Sequence, residues 1–84
     1  MSTATIHNNT EFGLNTVRAE GRRLGSFVNG WRNRRLTLYE HPTSTTLVIS
    51  VGEFLDGSET VVVCVEDFSC YSRQLIHNNW TDTQ

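Results

Sequence analysis

Arginine supplies the formal positive charge of this chain, and six of its seven arginines lie between Arg18 and Arg35, with no lysine anywhere. A guanidinium can bind a carboxylate or a phosphate through two parallel hydrogen bonds, which an ammonium group cannot do. Trp31 lies in the same stretch, and tryptophan beside arginine is typical of interface hot spots. The pattern therefore predicts a recognition surface, with these partner-binding residues: Arg22, Arg23, Trp31, Arg32, Arg34 and Arg35.

A second candidate surface is acidic. Residues 1–40 carry six arginines and three glutamates, a balance of +3, whereas residues 41–84 carry one arginine and six acids, a balance of -5. Carboxylates near the ends of a hairpin can complement a basic groove on a partner, which mainly sets association rate and specificity. For both charged sets the competing interpretation is an ordinary solvated surface. The acidic candidates are Glu53, Asp56, Glu59, Glu66 and Asp67.

The residue types that enzymes use form no catalytic or metal-binding pattern in this sequence. Residues 21–25 are glycine-bounded but lack the lysine and the hydroxyl residue of a phosphate-binding loop. The pair Glu66 and Asp67 follows a predicted strand and is typical of a solvated strand end. The three histidines lack the spacing of a ligand pair. We therefore predict that the chain is not an enzyme and uses neither a cofactor nor a metal.

The chain shows no targeting segment. Residues 1–5 lack the basic and apolar regions of a signal peptide, and no apolar run is long enough for a membrane helix. We therefore expect a cytoplasmic protein with no membrane partner. In that compartment Cys64 and Cys70 should be reduced thiols, and Cys64, inside the apolar run 61–65, should be a small buried hydrophobe.

Length and patterning predict one α+β domain over residues 1–84, with a single modest core. Residues 1–9 and 78–84 are expected to be flexible tails. The sheet should be antiparallel with three or four strands, and one N-terminal helix should pack on one of its faces. The strands are predicted at about 35–41, 46–54 and 59–66, and alternation allows a fourth at 68–77.

Turn chemistry in residues 55–58 decides which side chains of the central hairpin share a face. A two-residue Asp56-Gly57 turn would place the valines of the two strands on opposite faces. A three-residue loop 55–57, with Gly57 in the left-handed conformation, instead collects the apolar residues together. The other face stays partly apolar, so a tail or a second subunit should cover part of it. The predicted core face holds Leu47, Ile49, Val51, Val61, Val63 and Val65.

Residues 14–29 are predicted to form the helix because apolar residues recur there at spacings of three and four. The glycines oppose this interpretation, since each interior glycine costs about 1 kcal/mol relative to alanine. Gly21 and Gly25 either let a helix approach the sheet closely or mark a break into two strands, and the spacing favours the helix. The same stripe continues to Trp31 and favours a core position for it over an exposed anchor.

One short segment recurs. The sequence Ile-His-Asn-Asn stands at residues 6–9 and again at residues 76–79. A single recurrence at this distance fits no solenoid or propeller. The two copies could pair as adjacent edge strands or meet across a two-fold axis, but coincidence between two polar segments is the favoured interpretation.

Three functions fit these observations. We expect a non-enzymatic macromolecular interaction protein, of the kind of a small phage accessory inhibitor that binds a host protein or nucleoprotein defence complex, as an anti-CRISPR protein does. The first alternative is a nucleic-acid-binding domain in which arginines contact phosphates and Trp31 or Tyr39 stacks on a base, although the net charge of -2 opposes nonspecific binding. The second alternative is a homo-oligomeric sponge for a small anionic ligand. A homodimer is compatible with all three.

Overall fold

The computed structural model describes residues 5–71 and 80–83, which combine a six-stranded sheet with two short helices. These strands lie in the order β1-β5-β4-β3-β2-β6, where β1 runs parallel to β5 and the other neighbours are antiparallel. The predicted α+β class is confirmed. The elements are β1 (Thr5–Asn8), α1 (Leu14–Glu20), β2 (Arg23–Asn29), a 3-10 turn (Gly30–Arg32), β3 (Arg34–Glu40), β4 (Leu47–Phe54), β5 (Thr60–Asp67), α2 (68–71) and β6 (Thr81–Asp82).

The prediction of a three- to four-stranded antiparallel sheet is wrong, because the described residues add strands at both ends of the chain. The segments 1–9 and 78–84, predicted as tails, contain β1 and β6, which pair with β5 and β2. Of the predicted fourth strand, residues 68–71 are helical, and the remainder lies outside the described residues, as does the second Ile-His-Asn-Asn copy. Residues 68–71 form a helix rather than a strand because Asp67 caps α2: its carboxylate accepts the N–H of Ser69 at 2.9 Å.

The predicted helix over 14–29 is wrong beyond residue 20. The chain leaves the helix at Gly21, which is extended with φ -69° and ψ 141°. A side chain at Gly21 would collide with the carbonyl oxygen of Val17 and approach the ring of Tyr39 to 3.0 Å, so only glycine fits this exit without a shift. Residues 23–29 then pair with β3, opposite Leu36 and its neighbours. Pairing with β3, the next strand along the chain, has overridden the helical spacing.

The face assignment of the β4–β5 hairpin is confirmed. Val51 lies opposite Val63, and α1 packs over this face. The connection runs over residues 55–59 rather than 55–57, and Gly57 is left-handed with φ 85°, as expected. The predicted three-residue connection and the observed five-residue connection both have an odd number of residues. The same side chains of the two strands therefore share the core face in either case. The cluster on this face contains Leu14, Val17, Ile49, Val51, Val61 and Val63.

The opposite face of the sheet carries a smaller cluster of Leu36, Leu38 and Val48. Tyr71 and Trp80, from the C-terminal part of the chain, pack against it. The expectation that a tail would cover part of this face is therefore confirmed. No helix formed by the described residues is long and apolar enough to cross a membrane.

Candidate functional site

The turn that joins β2 to β3 carries a tryptophan that is almost fully in water. We call residues 29–34 the Trp31 tip. Trp31 is 93% exposed, so the predicted core position is wrong. The apolar stripe that led to Trp31 assumed a continuous helix, whereas β2 ends at Asn29 and the chain reverses direction around the tryptophan.

Hydrogen bonds hold the Trp31 tip in one conformation. The Asn29 side chain, only 1% exposed, accepts the N–H of Arg32 at 3.4 Å. Asn33 is left-handed with φ 56°, and its N–H donates to the carbonyl of Gly30 at 3.2 Å. The carbonyl of Asn33 in turn accepts the N–H of Leu55 at 3.0 Å. The tip is therefore attached to the loop that follows β4, and the backbone that carries Trp31 is fixed from both sides.

One of the arginines beside the tip, Arg34, already makes a contact within the sheet. The guanidinium carbon of Arg34 lies 3.7 Å from the ring centroid of Phe54, which is a cation–π contact. Arg35 is exposed and lies opposite Glu53 in the register with β4. The Glu53 carboxylate accepts a hydrogen bond from Arg18 of α1 at 3.4 Å. An exposed ion pair of this kind contributes little to stability. These charges therefore remain accessible to a partner at small cost.

Acidic side chains share this end of the sheet with the arginines. The loop 55–59 lies beside the tip because Leu55 is bonded to Asn33. Within the loop, the Asp56 carboxylate accepts the N–H of Ser58 at 2.9 Å. Both charge signs thus lie at the end of the sheet that carries Trp31. The charged candidates brought together here are Arg32, Arg34, Arg35, Glu53, Asp56 and Glu59.

The remaining candidates lie at the opposite end. Arg22 and Arg23 precede or begin β2, and seven strand residues at about 3.3 Å each separate them from the tip by roughly 20 Å. Arg22 pairs with the Glu40 carboxylate at 3.6 Å. Glu66 and Asp67 end β5 at the same side, and Asp67 is engaged in capping α2. The arginine cluster of the sequence is therefore two separate groups in the fold.

Two surface cavities also lie at this opposite end. The larger, of about 490 Å³, has walls that include Leu24, Leu47, Val48 and Phe68, and no arginine of residues 5–71 lines it. The smaller, of about 310 Å³, includes Arg22, whose guanidinium pairs with Glu40. An arginine-lined pocket for an anionic ligand therefore gains no support from either cavity. Within residues 5–71 and 80–83, no group of three histidine, cysteine or acidic residues could hold a metal ion.

Sequence reasoning missed the two asparagines that build the tip. Asn29-Gly30 precedes Trp31, Asn33 follows it, and such residues are turn formers between two strands. This signal predicts a hairpin between residues 23 and 40, whereas the spacing of apolar residues favours a helix over 14–29. Comparisons of the chain with protein-family models, with curated proteins and with solved structures returned no match. A function must therefore be argued from the site itself.

Proposed function

We propose that this chain is a non-enzymatic interaction protein that binds another protein in the cytoplasm through the Trp31 tip. The observation that carries the proposal is the exposure of Trp31 on a turn whose backbone is fixed by hydrogen bonds. Burying a tryptophan removes about 150–250 Å² from water, which at about 25 cal/mol per Å² is worth about 4–6 kcal/mol. Because the tip is ordered before binding, little of this free energy is lost to ordering it.

Mixed charge around the Trp31 tip favours a protein partner over a nucleic acid. Nucleic acid is the second candidate because an exposed tryptophan next to Arg32 could stack on a base. However, Glu53, Asp56 and Glu59 lie at the same end as the arginines, and carboxylates repel a phosphate backbone. Protein surfaces carry both signs and can complement such a pattern. The tip therefore resembles an anchor for an apolar pocket with a charged rim.

The proposed role for such an interaction protein is inhibition of its partner. A small inhibitor of a host protein or nucleoprotein defence complex, of the anti-CRISPR kind, needs no catalytic group and acts by occupying a surface. A domain of 84 residues with one fixed aromatic anchor meets that requirement. In this role the partner surface would be apolar at its centre, because hot-spot residues insert into desolvated pockets.

The test compares the wild-type chain with Trp31→Ala and Phe68→Ala in pull-downs from lysate of the native host, followed by affinity measurement with each purified candidate. Phe68 is the matched control, because it is an aromatic residue, 48% exposed, at the opposite end. We expect Trp31→Ala to weaken binding at least about tenfold, given hot-spot losses of about 2 kcal/mol or more. Phe68→Ala should bind as the wild type does.

Stability and nucleic-acid measurements complete this test. The free energy of unfolding of Trp31→Ala should lie within about 0.5 kcal/mol of the wild type, since the side chain is in water. Labelled single- and double-stranded DNA and RNA are tested at two salt concentrations against Arg32→Gln/Arg35→Gln, which leaves the Arg34–Phe54 contact intact. Salt-sensitive binding that is lost in that variant would show that the partner is a nucleic acid rather than a protein. Equal capture by Trp31→Ala and the wild type would refute the Trp31 tip as the binding site.

A further inference from the structure

Among the described residues, β1 is an edge strand that lacks the charged residues, the proline and the bulge by which many natural edge strands are protected. β1 is the first strand in the sheet order, and its residues Thr5–Asn8 are all exposed. Natural edge strands avoid pairing with other chains by being very short, by carrying charged residues or proline, or by forming a bulge. The sequence Thr-Ile-His-Asn contains no acid, arginine, lysine or proline, and its register with β5 runs without a shift. Ile6 adds an apolar side chain that is 49% exposed.

The hydrogen bonds to β5 show which backbone groups of β1 point outwards. The N–H of Asn9 donates to the carbonyl of Val63 at 3.0 Å, so residue 9 faces β5. Along a strand paired in this way, alternate residues direct their N–H and C=O groups to opposite sides. His7 therefore faces β5 as Asn9 does, whereas Ile6 and Asn8 direct their backbone groups away from the sheet.

We infer that a second copy of this chain pairs with β1 in antiparallel orientation, about a two-fold axis at His7. In this register Ile6 of each copy lies opposite Asn8 of the other. Each of these two symmetry-related pairs exchanges backbone hydrogen bonds. The two His7 residues form the non-hydrogen-bonded pair on the axis. The strand is therefore complementary to itself, which a two-fold interface requires.

The opposite edge of the sheet is less suited to pairing with a further copy. β6 has only two residues, Thr81–Asp82, so it offers little backbone to a further chain. The four-residue β1 edge buries far less than the roughly 1,200 Å² of a stable interface, so the dimer is weak and forms at high protein concentration. The inference does not depend on the proposed function, because the Trp31 tip lies on the turn between β2 and β3, away from β1.

The first experiment measures molecular mass by light scattering over a concentration series that reaches the millimolar range. The wild type should pass from monomer to dimer and no further. Ile6→Pro removes an outward N–H without touching the bonds to β5, so it should remain monomeric with an unchanged melting temperature. A wild type that is monomeric throughout, or a dimer that Ile6→Pro leaves intact, would overturn the inference.

The second experiment tests the register by disulfide formation in a Cys64→Ser/Cys70→Ser background. Opposite residues of a non-hydrogen-bonded pair have Cα atoms about 4.5 Å apart, within the roughly 4.4–6.8 Å range of a disulfide. His7→Cys should therefore form a covalent dimer. Ile6→Cys and Asn8→Cys should cross-link when mixed but much less when oxidised alone. Equal yields from all three single variants would mean random collision and would overturn the register.

Discussion

The function proposed for this chain rests on one side chain and on two asparagines that hold it. Asn29 is buried and caps the turn, while Asn33 supplies the left-handed residue at its end. Asparagine tolerates that conformation better than other residues with a side chain, because its amide can bond locally. The arginines contribute the charge around the site, but the asparagines decide that Trp31 points into water.

Substitution at Asn33 should separate a conformational requirement from a chemical one. Asn33→Gly should keep the stability of the fold, since glycine adopts φ 56° without strain. Asn33→Val should lower the free energy of unfolding by about 1–2 kcal/mol, because a β-branched residue is strained in the left-handed region. Urea denaturation measures both. Equal stability of the two variants would contradict the importance of this turn conformation.

Tyr71 should make the fold sensitive to alkaline pH. Burial raises the pKa of the Tyr71 phenol above its usual 10.0, Ser50 partly lowers that pKa through a hydrogen bond, and the charges of Glu66 and Cys64 raise it. The folded state thus holds the phenolic proton more tightly than the unfolded state. This stabilisation is fully present below the unfolded pKa and is lost as the pH rises through the folded pKa.

The melting temperature should therefore fall above about pH 10, and it should fall less steeply in Tyr71→Phe, which has no phenolic proton to lose. Thermal unfolding followed by circular dichroism at a series of alkaline pH values gives both slopes. Parallel curves for the two proteins would show that Tyr71 titrates alike in the folded and unfolded states.

At the scale of the elements, the β4–β5 hairpin was predictable and the segment 14–29 was not. The hairpin consists of two runs rich in Val, Ile and Leu on either side of a turn containing Gly57, and both signals are local. Residues 23–29 give a weaker strand signal, because Gly25 interrupts the pattern of side chains. In the structure, the pairing of these residues with β3 also contains a register shift between Arg23 and Gly25. Their strand conformation depends on β3, whose backbone and leucines they pair with. The spacing of apolar residues in 14–29 does not contain that information, whereas the turn residues Asn29-Gly30 and Asn33 do indicate the connection to β3.

Gly21 should be the position at which this element boundary is most sensitive. Gly21→Ala should lower the free energy of unfolding by about 1–3 kcal/mol, because the added methyl group would meet Val17 and Tyr39. Gly30→Ala is the matched control, since a methyl group there has no atom within 4 Å. Denaturation of the two variants makes the comparison. If Gly30→Ala were the more destabilised of the two, the close contact at Gly21 would not be what ends the helix.

At the scale of the whole molecule, one sheet supports apolar clusters on both faces, and the larger cluster lies under α1. Val63 is at its centre with 0% exposure. A small domain has only about 5–15 kcal/mol of stability, and an unpaired charge in such a core costs several kcal/mol. The free energy of unfolding therefore depends strongly on the packing of the sheet face under α1.

Val63→Asp should unfold the protein at neutral pH, whereas Trp31→Asp, which places the same group in water, should leave it folded. Circular dichroism and thermal melting distinguish these outcomes. A cooperative melt of Val63→Asp near the wild-type temperature would mean that the β4–β5 hairpin does not bury the predicted face.

The sequence by itself determined the α+β class, the central strands and the side chains that share the core face, because period-two alternation and turn residues act over a few neighbours. It also supplied the arginines, the acids and Trp31 as candidates. Only the tertiary structure decided that residues 23–29 are a strand, that the arginines separate by roughly 20 Å, and that Trp31 stands in water. These outcomes depend on the pairing of residues 23–29 with β3 and on the hydrogen bond from Leu55 to Asn33. The spacing of apolar residues within the segment records neither of these contacts.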